Sequence, residues 1–477
     1  MTSRPKVSPF ICRVLTACLF VFTFSPLVYG QQGIFEPLAK MRAKLQATPN
    51  PVTPKPFPLI NRQSPAGTPQ AAPKPAKPKG PVQSAEAVSA LQDAGFSLTM
   101  DSNGNVVEIA AGGETDLSES FTAFAGLPHV RIVRLSGPGL KDKGLESLAK
   151  LTNLTRLDLS DAAITDKTLK TIGKLENLEA LFLRRTGISN DGLALLSGLP
   201  KLRAIDVRNT NIGDAGMKHL AKIKSLADIQ LEKSKVTDAG VADLANLKLK
   251  SINVNYCTSI GDPSLVVFGA MPTLESIQMD ACQISDEGMK EVAKLTKLKR
   301  LRIRETDITG KGFENVAKLD RLDRLELRNT SIDDAGIKII AGLPNVTYLD
   351  LSECRLISPE AFAELKTLTK LRFLNLWETK FDDEGLQALG GLTALEDLNL
   401  KSCSITDASL DSLMKFQKLK RLNVAGTLLN DDSVRKLASL PQLTWLNIAN
   451  ISSIGFDVID EVIEKYPNLS LVEYENG

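Results

Sequence analysis

Leu322 to Asn345 reads LDRLELRNTSIDDAGIKIIAGLPN. Leu322 opens the run, and Leu325 and Leu327 alternate as on a strand. Asn329-Thr330-Ser331 turns the chain and Ile332 drops inward, after which Ile337, Ile340 and Leu343 follow at helical spacing. Near-copies of this unit fill about three quarters of the chain. Counted by their first apolar residue they begin at Val106, Val130, Leu154, Leu178, Leu202, Leu226, Leu249, Leu274, Leu298, Leu322, Val346, Leu371, Leu395, Leu419 and Leu443. Every step is 24 residues except one of 23 and two of 25. The longer units, starting at Leu249 and Val346, carry the longer turns Tyr256-Cys257-Thr258-Ser259 and Glu353-Cys354-Arg355-Leu356. One strand and one helical segment cannot bury their apolar faces alone, so the units must stack into a continuous core.

The pattern L-x-x-L-x-L-x-x-[TC]-x-I-[TSGD]-D-x-G-[LMVI]-x-x-[LIV] resembles a leucine-rich repeat of the ribonuclease-inhibitor-like or cysteine-containing type. It is similar to arrays in exported bacterial leucine-rich-repeat proteins and in the substrate-reading halves of F-box adaptors. The likeness runs from about Val106 to Leu469. It implies an α/β solenoid, a horseshoe of about fourteen 24-residue repeats, with a parallel sheet on the concave face and helices on the convex face.

The columns of the array have separate physical tasks. Leu154, Leu157 and Leu159 and their counterparts belong between sheet and helix. Thr165, Ser189, Gly213, Thr237, Gly261, Ser285, Thr309, Asp333, Ser358, Asp382, Thr406 and Asn430 all belong to the set that caps helix N-termini. Asp166, Asp214, Asp238, Asp286 and Asp334 follow inside the first turn, where the helix dipole favours negative charge, and Pro359 occupies the same slot after Ser358. Cys257, Cys282, Cys354 and Cys403 share a turn column with Thr186, Thr306 and Thr330. They read as small inward groups whose side chains run parallel along the ladder rather than as disulfide partners.

The first 83 residues differ from the rest. They hold eleven Lys and Arg against Glu36 alone, leaving 47 basic and 55 acidic residues, a net of −8, for the remainder. An acidic body argues against nucleic acid as the partner of the array. Arg4, Lys6 and Arg13 precede the apolar run Val14 to Phe24, the order of a secretory signal peptide over 1–30. That run is too short to span a bilayer. Leu15-Thr16-Ala17-Cys18 also resembles a lipoprotein box, although apolar residues continue past Cys18, and a lipid anchor there is the alternative. Residues 31–83, rich in Pro, Ala and Lys, read as an extended basic linker. Either it is a solvated spacer, or it rests on an anionic cell-envelope polymer. Ser84 to Gly95 reads as a capped helix and Phe96 to Ala111 as a hairpin turning at Asn103-Gly104, so 84–129 opens the array. Repeats then fill 130–468 and a C-terminal cap 469–477.

Little in the sequence supports catalysis. His129 and His219 are the only histidines and lie far apart in phase, and no C-x-x-C, G-x-S-x-G, H-E-x-x-H or phosphate-cradling glycine loop is present. No metal and no cofactor is expected, and the protein reads as no enzyme. Function should sit on the outward strand residues, where Arg and aromatic side chains tend to dominate binding energy. The richest stretch is Arg300, Arg302, Arg304, Arg324, Glu326 and Arg328, followed by Tyr348, Phe373 and Trp377. Glu305, Glu326 and Glu378 offer the competing reading, a self-paired solvated face. The expectation is an exported, non-enzymatic module that binds a protein ligand through its concave face. A cell-envelope structural protein held by its linker, and an adaptor like the F-box proteins, are the alternatives.

Overall fold

The computed structural model describes residues 82–474. Contacts divide the chain into Met1–Pro78 and Lys79–Gly477, and the description concerns the second unit. The signal peptide, the lipoprotein alternative at Cys18, most of the linker and residues 475–477 lie outside the described residues.

The array begins with α1 (Ala85–Asp93), capped by the Ser84 hydroxyl, which accepts from the Ala87 amide at 3.1 Å. A hairpin follows, β1 (Ser97–Met100) antiparallel to β2 (Val106–Gly112). From β2 onward every pairing is parallel, through β3 (Ile132–Ser136) and fourteen strands of three residues from Arg156–Asp158 to Ser470–Val472. The sheet is open and has seventeen strands among the described residues. Its last strand, Ser470–Val472, pairs beside Trp445–Asn447, so the ladder continues into residues assigned above to the C-terminal cap.

Register follows the 24-residue step, Leu301 facing Leu325 and Leu325 facing Leu349. The central residue of each short strand points into the core, and Leu301, Leu325, Leu349 and Leu374 are fully buried. Large rings fill the space toward the helical side, Phe268, Phe313, Phe362, Phe381 and Phe416 among them. At the N-terminal end Ala87, Leu91 and Phe96 close the core, with Phe96 edge-on to Phe121 and Phe124 at 6.3 and 6.4 Å. Several helical segments are 3-10 turns, such as Glu360–Thr367, because 24 residues leave room for only one or two turns between strands.

Two columns stop the strands after three residues. The third strand residue is commonly Asn or Asp, whose Oδ1 accepts the amide two residues on, as Asn375 does from Trp377 at 3.1 Å and Asn423 from Ala425 at 3.0 Å. The next turn residue is left-handed in repeat after repeat, from Asp161 (φ 65°) to Asn329 (φ 54°) and Asn450 (φ 59°). There its amide reaches the neighbouring repeat's carbonyl, as Asn329 N does Ser352 O at 2.9 Å. Asp158, Asp206, Asp350, Asn375 and Asn447, all in this strand-ending column, therefore already spend an oxygen on the backbone.

A second ladder ties the helical sides together. The aspartate that most repeats carry after the helix cap does more than meet the helix dipole. Asp166 Oδ1 accepts the Ser189 amide at 2.8 Å and its Oδ2 the Ser189 hydroxyl at 2.5 Å. Asp214 holds Thr237, Asp262 holds Ser285, Asp286 holds Thr309 and Asp383 holds Thr406 in the same two-point way. The clamped hydroxyl still serves its own helix, Thr309 Oγ1 accepting from Lys311 N at 3.2 Å.

The four cysteines are free and buried. Each thiol donates backward to a strand carbonyl of the preceding repeat, Cys354 to Leu327 O at 3.1 Å and Cys403 to Leu376 O at 3.0 Å. Those same carbonyls also accept Thr330 and Thr379. Burial raises the Cys354 and Cys403 thiols to about 11. The thiolate is the nucleophile, so none of these cysteines should react with a maleimide at pH 7.5 in the folded protein. All four should label once urea unfolds the array, which mass spectrometry would read as a step of four adducts, in addition to any adducts at Cys12 and Cys18 where the leader is retained.

Candidate functional site

The strands Ser276–Gln278, Arg300–Arg302, Arg324–Glu326, Tyr348–Asp350 and Phe373–Asn375 lie side by side in register. This brings all nine sequence-selected residues onto one stretch of the strand face and sorts them by depth. Glu326 is 1 % exposed and Arg300 7 %. Arg302, Arg304, Arg324, Arg328, Tyr348, Phe373 and Trp377 are half-buried.

Glu326 is the hub. Its Oε1 accepts Arg300 Nε at 2.9 Å and Arg324 Nε at 2.7 Å, and its Oε2 accepts Arg304 Nη2 at 2.6 Å. Burial raises its pKa, but the Arg300, Arg324 and Arg304 guanidiniums outweigh that and hold it below the ordinary glutamate value. Arg304 also reaches Asp350 at 3.0 Å, and Arg302 donates to Asp280 at 2.6 Å. Asp280, whose side chain is fully buried, is raised by burial despite Arg302. The two carboxylates shift oppositely because three guanidiniums converge on Glu326 and one chiefly serves Asp280. Four arginines thus meet three carboxylates, and Arg328 meets Glu353 at 2.7 Å, so the patch is close to neutral.

Asp280 was absent from the sequence selection. It stands in the outward column of Arg304 and Arg328, and aligning that third column would have exposed it. It also explains a local gap. Gln278 and Arg302 occupy the strand-ending column and cannot cap the turn, so Asn255 Oδ1 accepts the Asp280 amide at 2.8 Å and Asp280 Oδ1 the Arg304 amide at 3.0 Å.

The aromatic half is pre-stacked. Tyr348 and Phe373 lie parallel with centroids 3.8 Å apart, and the Arg324 guanidinium covers Tyr348 at 3.7 Å. Trp377 sits between Arg328 at 5.1 Å and Lys401 at 5.6 Å. Beyond Phe373 the same column holds Asp397, with Arg421 at 3.4 Å. Burial raises Asp397 to about 6, only partly countered by Arg421. A folded-state value above the unfolded one means folding favours the proton, so stability should rise as pH falls from about 6 toward 4. Asp397→Asn should flatten that part of the urea-denaturation profile and raise stability at pH 7; an unchanged slope would show that Asp397 is solvated.

The described residues contain no group of three or more His, Cys, Asp or Glu placed to hold a metal ion. Nor is any described helix long and apolar enough to cross a membrane.

Parallel register at a 24-residue step, buried leucine columns and helical segments on one side define a leucine-rich-repeat solenoid. The chain belongs to the leucine-rich-repeat family, whose region model matches residues 115–352 and 248–474. Arrays of this family are typically protein-binding modules and generally not enzymes. No curated protein matches the chain. Among solved structures it is similar to an internalin from Listeria monocytogenes, 23 % identical over 76 % of this chain and 94 % of that one, with a TM-score of 0.45. It is also similar to a leucine-rich-repeat protein of Leptospira interrogans, 18 % identical over 80 % and 97 %, with a TM-score of 0.48.

Proposed function

We propose that the protein is an exported module that recognises a protein ligand through the strand face centred on Arg302, Arg304, Arg324, Arg328, Tyr348, Phe373 and Trp377. Arg300 and Glu326 lie beneath and hold that surface in place. The observation that carries the reading is the rigid aromatic-cation arrangement, with Arg324, Tyr348 and Phe373 in one stack and Trp377 between Arg328 and Lys401. Side chains already fixed by neighbours lose little rotamer freedom on binding, and half-buried aromatic and Arg groups are effective anchors. Near-neutrality favours a ligand of mixed polar and apolar character over a strongly charged one. Export rests on the basic and apolar order of residues 1–30.

The test is affinity capture from the medium surrounding the cells, comparing wild type with Trp377→Ala/Lys401→Ala. Both changes sit at the surface and leave the Glu326 hub intact. A captured protein should be lost, or weakened at least about tenfold. An identical set of captured proteins at equal folded yield would remove this face from consideration.

A further inference from the structure

The flank of the array that leads into the strands is set by the residue immediately before and the residue immediately after each repeat's first apolar residue. In the described array these positions hold twelve Lys and Arg against four carboxylates, Glu179, Glu275, Asp323 and Glu396. The excess of eight positive charges stands within a sequence, from residue 84 on, whose net charge is −8. Depth sharpens the contrast, because all twelve cations are exposed and all four carboxylates are half-buried.

The cations come mostly as pairs around one leucine, as in Lys248 and Lys250, Lys297 and Lys299, and Lys418 and Lys420. Five such pairs occur, starting at Lys201, Lys248, Lys297, Lys370 and Lys418, none in adjacent repeats. Strands lie about 4.8 Å apart, so the nearest pairs are roughly 10 Å from one another along the flank. Glu275 takes up Lys299 at 2.8 Å, and Glu396 takes up Arg372 at 2.7 Å and Lys420 at 2.8 Å. Lys201 and Lys370 donate only to the neutral amides of Asn177 and Asn345. At one end the row borders a polar cleft of about 450 Å³ lined by Asp101, His129, Arg131, Asn177 and Lys201 among others.

We infer that this flank is a second binding surface, distinct from the strand face, and that it holds an extended anionic polysaccharide. A narrow row of cation pairs set two or three repeats apart matches a linear chain bearing repeated carboxylate or sulfate groups. Between the pairs stand Ser, Thr and Asn, such as Ser225, Thr273 and Asn345, which donate to the carbonyls of Leu202, Leu249 and Asp320 and keep their oxygens to accept from sugar hydroxyls. The row contains no Phe, Tyr or Trp, so bases of a single-stranded nucleic acid have no stacking platform there. Nor does it offer an exposed large apolar side chain to enter a bilayer interface.

The experiment measures binding of the full chain to heparin oligosaccharides as a function of salt. Three proteins are compared: wild type, Lys201→Gln/Lys248→Gln/Lys297→Gln/Lys418→Gln on the flank, and Lys143→Gln/Lys167→Gln/Lys311→Gln/Lys338→Gln elsewhere. Residues 31–83 are identical in all three, so their basic charge cannot produce a difference. Wild type and the second variant should bind alike, and the flank variant at least about tenfold more weakly with a shallower salt dependence. Equal binding by the two variants, or none by wild type, overturns the proposal. Tighter flank-dependent binding of oligo-dT or phosphatidylserine vesicles than of heparin also overturns it, by assigning the flank to another class of polyanion. Loss of strand-face capture by Trp377→Ala/Lys401→Ala bears only on the first surface.

Discussion

Glu326→Ala should destabilise the array by about 3–5 kcal/mol, the usual consequence of removing one partner from a buried ion pair. The size follows from what remains. Arg300 is 7 % exposed and keeps its charge, while Arg304 and Arg324 lose the carboxylate on which they converge. In a repeat protein such damage unfolds neighbouring units before distant ones. Hydrogen exchange should therefore speed up first around Ser276 to Asn375, and the urea transition should broaden or split. The double variant Glu326→Ala/Arg300→Ser separates a charge effect from a packing effect. It places serine opposite Ser276, the residue the adjacent repeat already carries in that column, and removes the most buried cation. Most of the lost stability should return. If the double variant is as unstable as the single, shape rather than charge governs the site.

That network marks the limit of what the residue pattern could reveal. Leu301, Leu325 and Leu349 are legible because each column repeats the same chemistry for the same reason, burial of one strand position. The capping column is legible because Ser, Thr, Asp and Asn each solve one local problem, unpaired amides at a helix start. The Glu326 hub is not repeated among the described residues. It joins side chains 2, 22 and 26 residues apart, across two adjacent repeats, and no single column contains it. The residue pattern offers Glu326 as a partner for the arginines, but it does not place Asp280 and Asp350 among them, and these bring the negative charge close to balance. The aromatic residues were visible as types, but their stacking depends on register that only the folded ladder fixes. The same holds for the lysine pairs on the flank, which look like unremarkable solubilising charge until their exposure is set beside the recessed carboxylates.

The aspartate clamp shows how a relation between repeats governs a residue that looks arbitrary by itself. In most units the residue after the helix cap is Asp, which accepts the amide of the next repeat's cap and, at Ser189, Thr237, Ser285, Thr309 and Thr406, its hydroxyl as well. Two caps are themselves aspartates, Asp333 and Asp382, each accepting its own helix's amide, Gly336 N at 3.2 Å and Gly385 N at 3.0 Å. The clamp position one repeat earlier is then Gly310 or Pro359, not Asp. A clamp carboxylate there would face a cap carboxylate, with no hydroxyl proton to share. Space is also closed at Gly310, where a Cβ would lie 2.6 Å from Gly336 N and against the Asp333 carboxylate. Gly310→Asp should therefore cost about 2–4 kcal/mol, from like-charge repulsion and displacement of the Asp333 cap. Asp333→Ser alone should cost little, since serine is an equally good cap. Combining the two recreates the arrangement of Asp166 with Ser189, and the pair should recover at least half of the loss in urea denaturation. A double variant no more stable than Gly310→Asp would mean that steric closure at Gly310, rather than the pairing rule between successive caps, decides which residue can stand there.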